Sequence, residues 1–128
     1  MRVLVCGGRN FDNLGLVTEV LGALHQSTPI TAVISGKAPG ADTLGEKWAH
    51  MNNVPVVPFP ADWAKHGRAA GPIRNQQMLD EGKPDMVVAF PGGTGTRDMC
   101  RRAISARIRI VEVPVPNKQA KGDPELCR

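Results

Sequence analysis

The chain has 128 residues, of which 41% are hydrophobic and 22% charged, and its formal net charge is +4. This composition is ordinary for a globular protein with a single hydrophobic core. It excludes a membrane-spanning protein, because no apolar run approaches the roughly 20 residues of a span, and the apolar N-terminus is too short for a secretory signal. Three widely spaced cysteines fit neither a zinc site nor a disulfide framework, so we expect a cytoplasmic protein without a metal or cofactor.

Short apolar runs alternate along the chain with segments of helical periodicity. The runs predict strands at residues 3–6, 30–34, 54–59, 86–90 and 108–113. Helices are predicted from apolar spacing across residues 14–24, 44–51, 73–79 and 99–106. Alternating strands and helices indicate the α/β class, with a parallel sheet covered by helices on both faces. We predict a single domain at residues 1–114 and a loosely ordered tail at residues 115–128.

The composition of the strands predicts their order in the sheet. Pro55 and Pro58 cannot donate to a strand ladder, which favours an edge position for the third strand. Arg109 and Glu112 favour the other edge for the fifth strand, and the uncharged first and fourth strands suit the centre. The expected order is 3-2-1-4-5, a Rossmann-like doubly wound sheet. Ligands of such sheets bind where the carboxyl ends of strands 1 and 4 meet.

Glycine-rich segments follow both of these central strands. The segment Pro91–Thr96 leads into a predicted helix, for which Thr96 is the expected N-cap. A glycine loop at a helix start aims backbone N–H groups at an anion, and the segment after strand 1 adds Arg9. The predicted ligand-binding residues here are Gly7, Gly8, Arg9, Phe11, Pro91, Gly92, Gly93, Thr94, Gly95 and Thr96.

The segment after the second strand contributes a second set of predicted ligand-binding residues. These are Ser35, Gly36, Gly40, Ala41 and Asp42. Two interpretations of Asp42 stay open: it caps the following helix, or it accepts hydrogen bonds from ribose hydroxyls. The segment is not a Walker A loop, since no Gly-Lys-Ser/Thr ends it.

Residues 61–75 are predicted to form a long loop, and loops of this length are often functional. Arg74 and Asn75 are predicted ligand-binding residues. We place Arg74 in the first turn of the next helix, where a cation opposes the helix dipole and so favours a ligand role. Trp63 either stacks on a base or anchors the loop. His66 is interpreted as a solvated loop residue, and no set of metal ligands emerges.

The last predicted helix carries four arginines, Arg97, Arg101, Arg102 and Arg107. They form either a solvated face, the interpretation we favour, or a contact surface for nucleic acid. The chain has no tyrosine and few other aromatic residues, so it offers few stacking platforms for single strands.

Several ordered motifs resemble the YspA-like branch of the SLOG superfamily, over residues 2–113. They are Gly7-Gly8-Arg9-Asn10-Phe11-Asp12, Gly36 with Gly40-Ala41-Asp42, Trp48-Ala49, Pro60-Ala61-Asp62-Trp63, Gly67-Arg68, Ala70-Gly71-Pro72-Ile73-Arg74-Asn75, Met78-Leu79, and Phe90–Thr96 followed by Met99. The superfamily also holds the cytokinin-activating phosphoribohydrolases and the DNA-processing protein A family. The resemblance implies a domain that binds a nucleotide or nucleotide-derived small molecule, and a homodimer.

The resemblance to the phosphoribohydrolases is incomplete at one residue. Those enzymes cleave nucleoside 5′-monophosphates to base and ribose 5-phosphate, and they carry the loop P-G-G-x-G-T-x-x-E and a preceding helical arginine. Arg74 resembles that arginine, whereas Met99 stands in place of the glutamate. The resemblance leaves Arg74, Asp42 and Asp98 as candidate catalytic residues. We favour a nucleotide-binding module, with an N-glycosidase using a relocated carboxylate and a DNA-binding module as the alternatives.

Overall fold

The computed structural model describes residues 1–114, in which five parallel strands form one sheet of order β3-β2-β1-β4-β5. The strands are β1 (Arg2–Cys6), β2 (Ala32–Ser35), β3 (Val56–Pro58), β4 (Met86–Ala89) and β5 (Arg109–Glu112). The predicted fold class and strand order are confirmed. The predicted tail at residues 115–128 lies outside the described residues, so the division of the chain at residue 114 stays a prediction.

Five helices connect or flank the strands. They are α1 (Leu14–Ser27), α2 (Ala41–Met51), α3 (Trp63–His66), α4 (Ala70–Asp80) and α5 (Thr94–Ser105), and a 3-10 turn (Gly67–Ala69) joins α3 to α4. Across residues 1–114, none of the helices is both long and apolar enough to cross a membrane.

The prediction of a long loop at residues 61–75 is wrong, since this segment holds α3, the 3-10 turn and the first half of α4. A helix of one turn is too short to show apolar periodicity, which explains the error. A local signal was present in Asp62, whose side chain accepts a hydrogen bond from the backbone N of Lys65 at 3.0 Å and so caps α3.

The hydrophobic core lies in two layers, one on each face of the sheet. Because side chains alternate along a strand, β1 sends Val3 and Val5 to one face and Leu4 to the other. The first layer includes Leu21 of α1 and Trp48 of α2. The second layer holds residues of α4 and α5, namely Met78, Leu79, Met99 and Ala103. Helices therefore cover both faces, and the loops that follow the strands gather at one edge of the sheet.

Candidate functional site

Three loops meet at the carboxyl edge of the sheet and are joined by backbone hydrogen bonds. The N–H of Gly8, after β1, donates to the carbonyl of Pro91, after β4, at 2.9 Å. The N–H of Ala41, at the start of α2, donates to the carbonyl of Gly8 at 3.1 Å. Gly8 thus connects the loops that follow β4 and β2, at the point where the strand order reverses.

Glycine is required where these loops touch. Gly40 has φ +81°, and a Cβ there would collide with the carbonyl oxygen of Gly8. A Cβ at Gly92 would lie 2.6 Å from the backbone N of Gly8. Gly93 and Gly95 differ, because a Cβ at either position would meet nothing within 4 Å. The first two glycines let the loops pack together, whereas Gly93 and Gly95 leave open space at the start of α5.

A cavity of about 630 Å³ opens beside this junction. Its volume lies within the range of small-molecule sites, roughly 300–1,000 Å³. It brings together many of the predicted site residues: Gly7, Gly8, Arg9, Asp42, Arg74, Asn75, Gly93, Thr94, Gly95, Thr96 and Asp98. Lining residues for which the sequence predicted no role include Ala38, Arg68, Gly71 and Met78. Arg68 and Gly71 fall within the segment that was predicted to be a loop, whereas Met78 lies on the helix predicted there.

The remaining predicted ligand-binding residues do not line the cavity: Phe11, Ser35, Gly36, Gly40, Ala41, Pro91 and Gly92. Their contacts explain their positions. The ring of Phe11 packs against that of Phe90 with centroids 5.3 Å apart. The hydroxyl of Ser35 donates to a carboxylate oxygen of Glu46. Phe11 and Ser35 are therefore engaged with other side chains of the protein.

Arg74 extends from α4 across the cavity towards the loop after β2. Its Nη1 donates to the carbonyl of Gly36, and its Nε donates to Oδ1 of Asn75 at 3.2 Å. Burial lowers the pKa of Arg74, and the nearby Asp42 carboxylate opposes this shift. The expectation that Arg74 lies in the first turn is wrong, because α4 begins at Ala70. The proposed conflict with the helix dipole therefore does not arise, since that effect is confined to the first turn.

Asp42 is a buried acid in the wall of the cavity, only 6% exposed. It is not the N-cap of α2, because the helix begins at Ala41 and Gly40 occupies the cap position. Its Oδ2 instead accepts from the backbone N of Ala38 at 3.2 Å. Burial raises the pKa of Asp42 to about 6, although the hydrogen bond from Ala38 and the charge of Arg74 act in the opposite direction. Asp42 therefore titrates close to neutral pH.

Asp98 on α5 is also buried, but its two oxygens are occupied. Oδ2 accepts from Nδ2 of Asn75 at 3.0 Å and from Nε of Arg102 at 2.8 Å, and Oδ1 accepts from Nη2 of Arg101 at 2.9 Å. Burial alone would raise the pKa of Asp98, but these hydrogen bonds and arginine charges outweigh it and lower the pKa. Nδ2 of Asn75 also donates to the carbonyl of Gly95 at 3.3 Å, so this network joins α4 to the first turn of α5.

The start of α5 differs from its prediction at Thr96, whereas Met99, in the following turn, lies on the apolar face as predicted. Thr96 is not the N-cap, because α5 begins at Thr94 and Gly93 occupies that position without a side-chain cap. Met99, which stands where the resemblance places a glutamate, is 1% exposed and packs in the core layer with Leu4 and Leu79. The side chain at this position contributes to the core and does not line the cavity.

The cavity is rich in positive charge. Its lining includes five arginines, Arg9, Arg68, Arg74, Arg97 and Arg101. Among residues 1–114, Arg101 forms an ion pair with Asp98, and Arg9, Arg68 and Arg97 form none. In the same part of the chain, no group of three or more His, Cys, Asp or Glu side chains is arranged to hold a metal ion. Unpaired guanidinium groups beside a helix N-terminus favour an anionic ligand.

The sequence of the chain is similar to a protein family and to a phage protein. The model of the YspA, cpYpsA-related SLOG family matches residues 1–66. Gene 61 protein of Mycobacterium phage D29 is 36% identical over 118 residues, which cover 86% of this chain and 94% of that protein.

Two solved structures match the chain, and the TM-score of the first supports a shared fold. DNA processing protein A (DprA) from Streptococcus pneumoniae superposes with a TM-score of 0.73 at 17% identity, covering 98% of this chain. The chain spans 55% of DprA, and at this identity the similarity concerns the fold alone. Glycinamide ribonucleotide transformylase 1 from Symbiobacterium toebii matches with a TM-score of 0.48 at 17% identity, over 95% of this chain and 59% of that one.

Proposed function

The chain belongs to the YspA, cpYpsA-related SLOG family, and from this membership and the geometry of the cavity we propose that it binds a nucleotide or nucleotide-derived small molecule. Membership supports a nucleotide-related or DNA-processing role in general. The finer proposal is that a phosphate of the ligand lies at the start of α5, against the backbone of residues 93–96. Arg74 and Arg97 neutralise its charge, and Asp42 accepts from the ribose hydroxyls.

One observation carries this proposal: open glycine backbone, a helix N-terminus and unpaired arginines line the same cavity. Gly93 and Gly95 leave space for an anion to approach the first N–H groups of α5. These groups have no partner within the helix and carry the positive end of its dipole. An anion bound there would satisfy them, which is how phosphate groups are commonly held at helix starts.

The substitution Gly93→Asp tests the phosphate site. A Cβ at this position meets no neighbouring atom, so the protein should fold, but the added carboxylate repels an anion at the start of α5. We expect the affinity for nucleoside 5′-monophosphates, measured by calorimetry, to fall at least ~10-fold, which corresponds to about 1.4 kcal/mol.

Gly22→Asp is the matched control. Gly22 lies within α1, a Cβ there also meets nothing within 4 Å, and it does not line the cavity. Its affinity should equal that of the wild type. The proposal is wrong if the wild type binds no nucleotide, or if both aspartate variants bind as the wild type does.

A second candidate, hydrolysis of the N-glycosidic bond of a nucleoside monophosphate, is favoured by the environment of Asp42. In that reaction water attacks C1′ of the ribose, the bond from C1′ to the base nitrogen breaks, and the base leaves with a proton. A buried carboxyl whose pKa is about 6 is suited to proton transfer at neutral pH. Asp98 is less suited, because arginine and asparagine groups hold both of its oxygens.

Incubation with nucleoside monophosphates, followed by chromatography for free base, separates binding from hydrolysis. Base release that is lost in Asp42→Asn and in Arg74→Ala would establish the hydrolase and replace binding alone as the function. We expect nucleotide to be bound and recovered intact.

A nucleic-acid ligand is the third candidate, and exposed arginines on α5 support it. Arg97 and Arg101 lie four residues apart and both line the cavity. DprA, whose fold this chain shares, is named for DNA processing. Binding of single-stranded DNA that weakens steeply with salt would favour this candidate. We expect no such binding at low salt.

A further inference from the structure

Trp63 is the large apolar side chain that lines the cavity and also remains open to solvent. It is the first residue of α3, its exposed fraction is 49%, and its ring lies in the cavity wall. The second tryptophan, Trp48, is 1% exposed and belongs to the core. A half-exposed indole is not required by the core of this fold. Its place in a concave, positively charged site points to an aromatic ligand group.

The guanidinium of Arg9 lies over the Trp63 ring, and a small shift of Arg9 makes room for an aromatic ring between them. The Cζ of Arg9 is 5.9 Å from the centroid of the ring. Two stacked layers require about 7 Å, twice the optimal separation of roughly 3.5 Å between carbon atoms. Because Arg9 is exposed and its side chain is long, a shift of about 1 Å opens the gap to two layers.

Trp63 also lies beside Arg74, so a base on this ring stays within reach of the proposed phosphate site. A Cβ at Gly71 would lie 3.5 Å from Cη2 of Trp63 and 4.0 Å from Nη2 of Arg74. The ring edge and the guanidinium therefore flank the same residue on the wall formed by α4. A single ligand can reach from the start of α5, past Arg74, to the indole.

We propose that Trp63 and Arg9 form a base-binding clamp, which makes the ligand a nucleotide with its base stacked on Trp63, preferentially a purine nucleotide. This inference rests on the proposed function. Stacking on an aromatic side chain tolerates every base, because each has a π-face, and the larger purine ring covers more of the indole. Arg9 contributes a cation–π contact on the other side of the base.

The test compares a nucleotide with the same sugar phosphate lacking the base. Affinities for AMP, GMP, UMP and ribose 5-phosphate are measured by calorimetry on the wild type, Trp63→Ala and Trp63→Phe. We expect the wild type to bind AMP or GMP about 10- to 100-fold more tightly than ribose 5-phosphate. Trp63→Ala should abolish this preference and leave the affinity for ribose 5-phosphate unchanged, and Trp63→Phe should retain part of it.

Intrinsic fluorescence distinguishes contact between Trp63 and the ligand from a purely structural role of Trp63. The chain has two tryptophans, so quenching by AMP should disappear in Trp63→Phe, where buried Trp48 is the remaining emitter. Equal wild-type affinities for AMP and ribose 5-phosphate would overturn the clamp and leave the phosphate site standing. A base preference that survives in Trp63→Ala would overturn it as well. If neither ligand binds the wild type, the proposed function fails and the clamp with it.

Discussion

Two buried aspartates line the same cavity, yet their surroundings move their pKa values in opposite directions. Asp42 accepts one backbone hydrogen bond and lies deep in the wall, so burial dominates and its pKa rises to about 6. Asp98 is fixed by Asn75, Arg101 and Arg102, so hydrogen bonds and charge dominate and its pKa falls. Asp42 can exchange a proton near neutral pH, whereas Asp98 is ionised at neutral pH and its hydrogen bonds join α4 to α5.

The raised pKa of Asp42 predicts how stability depends on pH. The folded protein holds this proton more tightly than the unfolded chain, so the contribution of Asp42 to stability is fully present below about pH 4 and is lost as the pH rises through 6. Above that range the ionised carboxylate lowers the free energy of unfolding by up to about 3 kcal/mol. A difference of about two between the pKa values in the folded and unfolded states corresponds to roughly 2.7 kcal/mol. Asp42→Asn should therefore be more stable than the wild type at pH 8, because the amide oxygen still accepts from Ala38.

Urea denaturation of both proteins at pH 4.5 and pH 8 measures this effect. We expect the difference in the free energy of unfolding to be small at the lower pH and to grow towards the higher one. Because the pKa of Asp98 is lowered, its contribution to stability is lost only in more acidic solution. Asp98 is present in both proteins, so this contribution cancels in the comparison. A difference that is the same at both pH values would contradict the assignment to Asp42.

Between elements, the loops are positioned by main-chain contacts that leave no room for side chains. Gly40→Ala should be strongly destabilising, because the added methyl collides with the Gly8 carbonyl and the residue has a positive φ. We expect the free energy of unfolding to fall by about 1–3 kcal/mol or more, together with a loss of nucleotide affinity. Gly22→Ala in α1 is the control, for which we expect a change in the free energy of unfolding of opposite sign. It should stabilise the protein by about 0.5–1 kcal/mol, since alanine is the better helix residue.

The helix starts show where the sequence was a poor guide to individual elements. Asp42 and Thr96 are residues that favour N-caps; the cap is the expected role of Thr96 and one of the two interpretations left open for Asp42. In both loops a glycine takes that position instead, Gly40 for α2 and Gly93 for α5. The preference for capping side chains failed here for two reasons. Close packing between the loops requires glycine at the start of α2, and Gly93 leaves the backbone open at the start of α5.

At the scale of the whole molecule, the order of the sheet and the position of the cavity could be predicted from the sequence. Pro55, Pro58 and the charged residues of β5 favoured the two edges, and the uncharged strands β1 and β4 favoured the centre. Together with the doubly wound pattern they predicted the observed order of the five strands. That order placed the site between β1 and β4. The wall formed by α3 and α4 could not be predicted, because it depends on how a one-turn helix packs beside Arg74.

The predicted homodimer leads to a test on the helices that flank the cavity. Ile104 on α5 is 66% exposed, the largest exposed fraction among the large hydrophobic side chains of residues 1–114. If α5 forms the dimer contact, Ile104→Glu should convert the protein to a monomer in sedimentation measurements. Met51→Glu, at the exposed end of α2, is the matched control and should leave the dimer intact. A wild type that sediments as a monomer would rule out the dimer.

The hydrogen bonds from Gly8 to Pro91 and from Ala41 to Gly8 have a consequence for how such a protein can diverge. They involve only main-chain atoms, so substitution of the surrounding side chains leaves the junction of the loops in place. The side chains proposed to contact the base of the ligand, Trp63 and Arg9, belong to residues that do not form these two hydrogen bonds. Under the proposed function, a lineage can therefore exchange one preferred ligand for another by changing these side chains, while it inherits the same main-chain framework of loops.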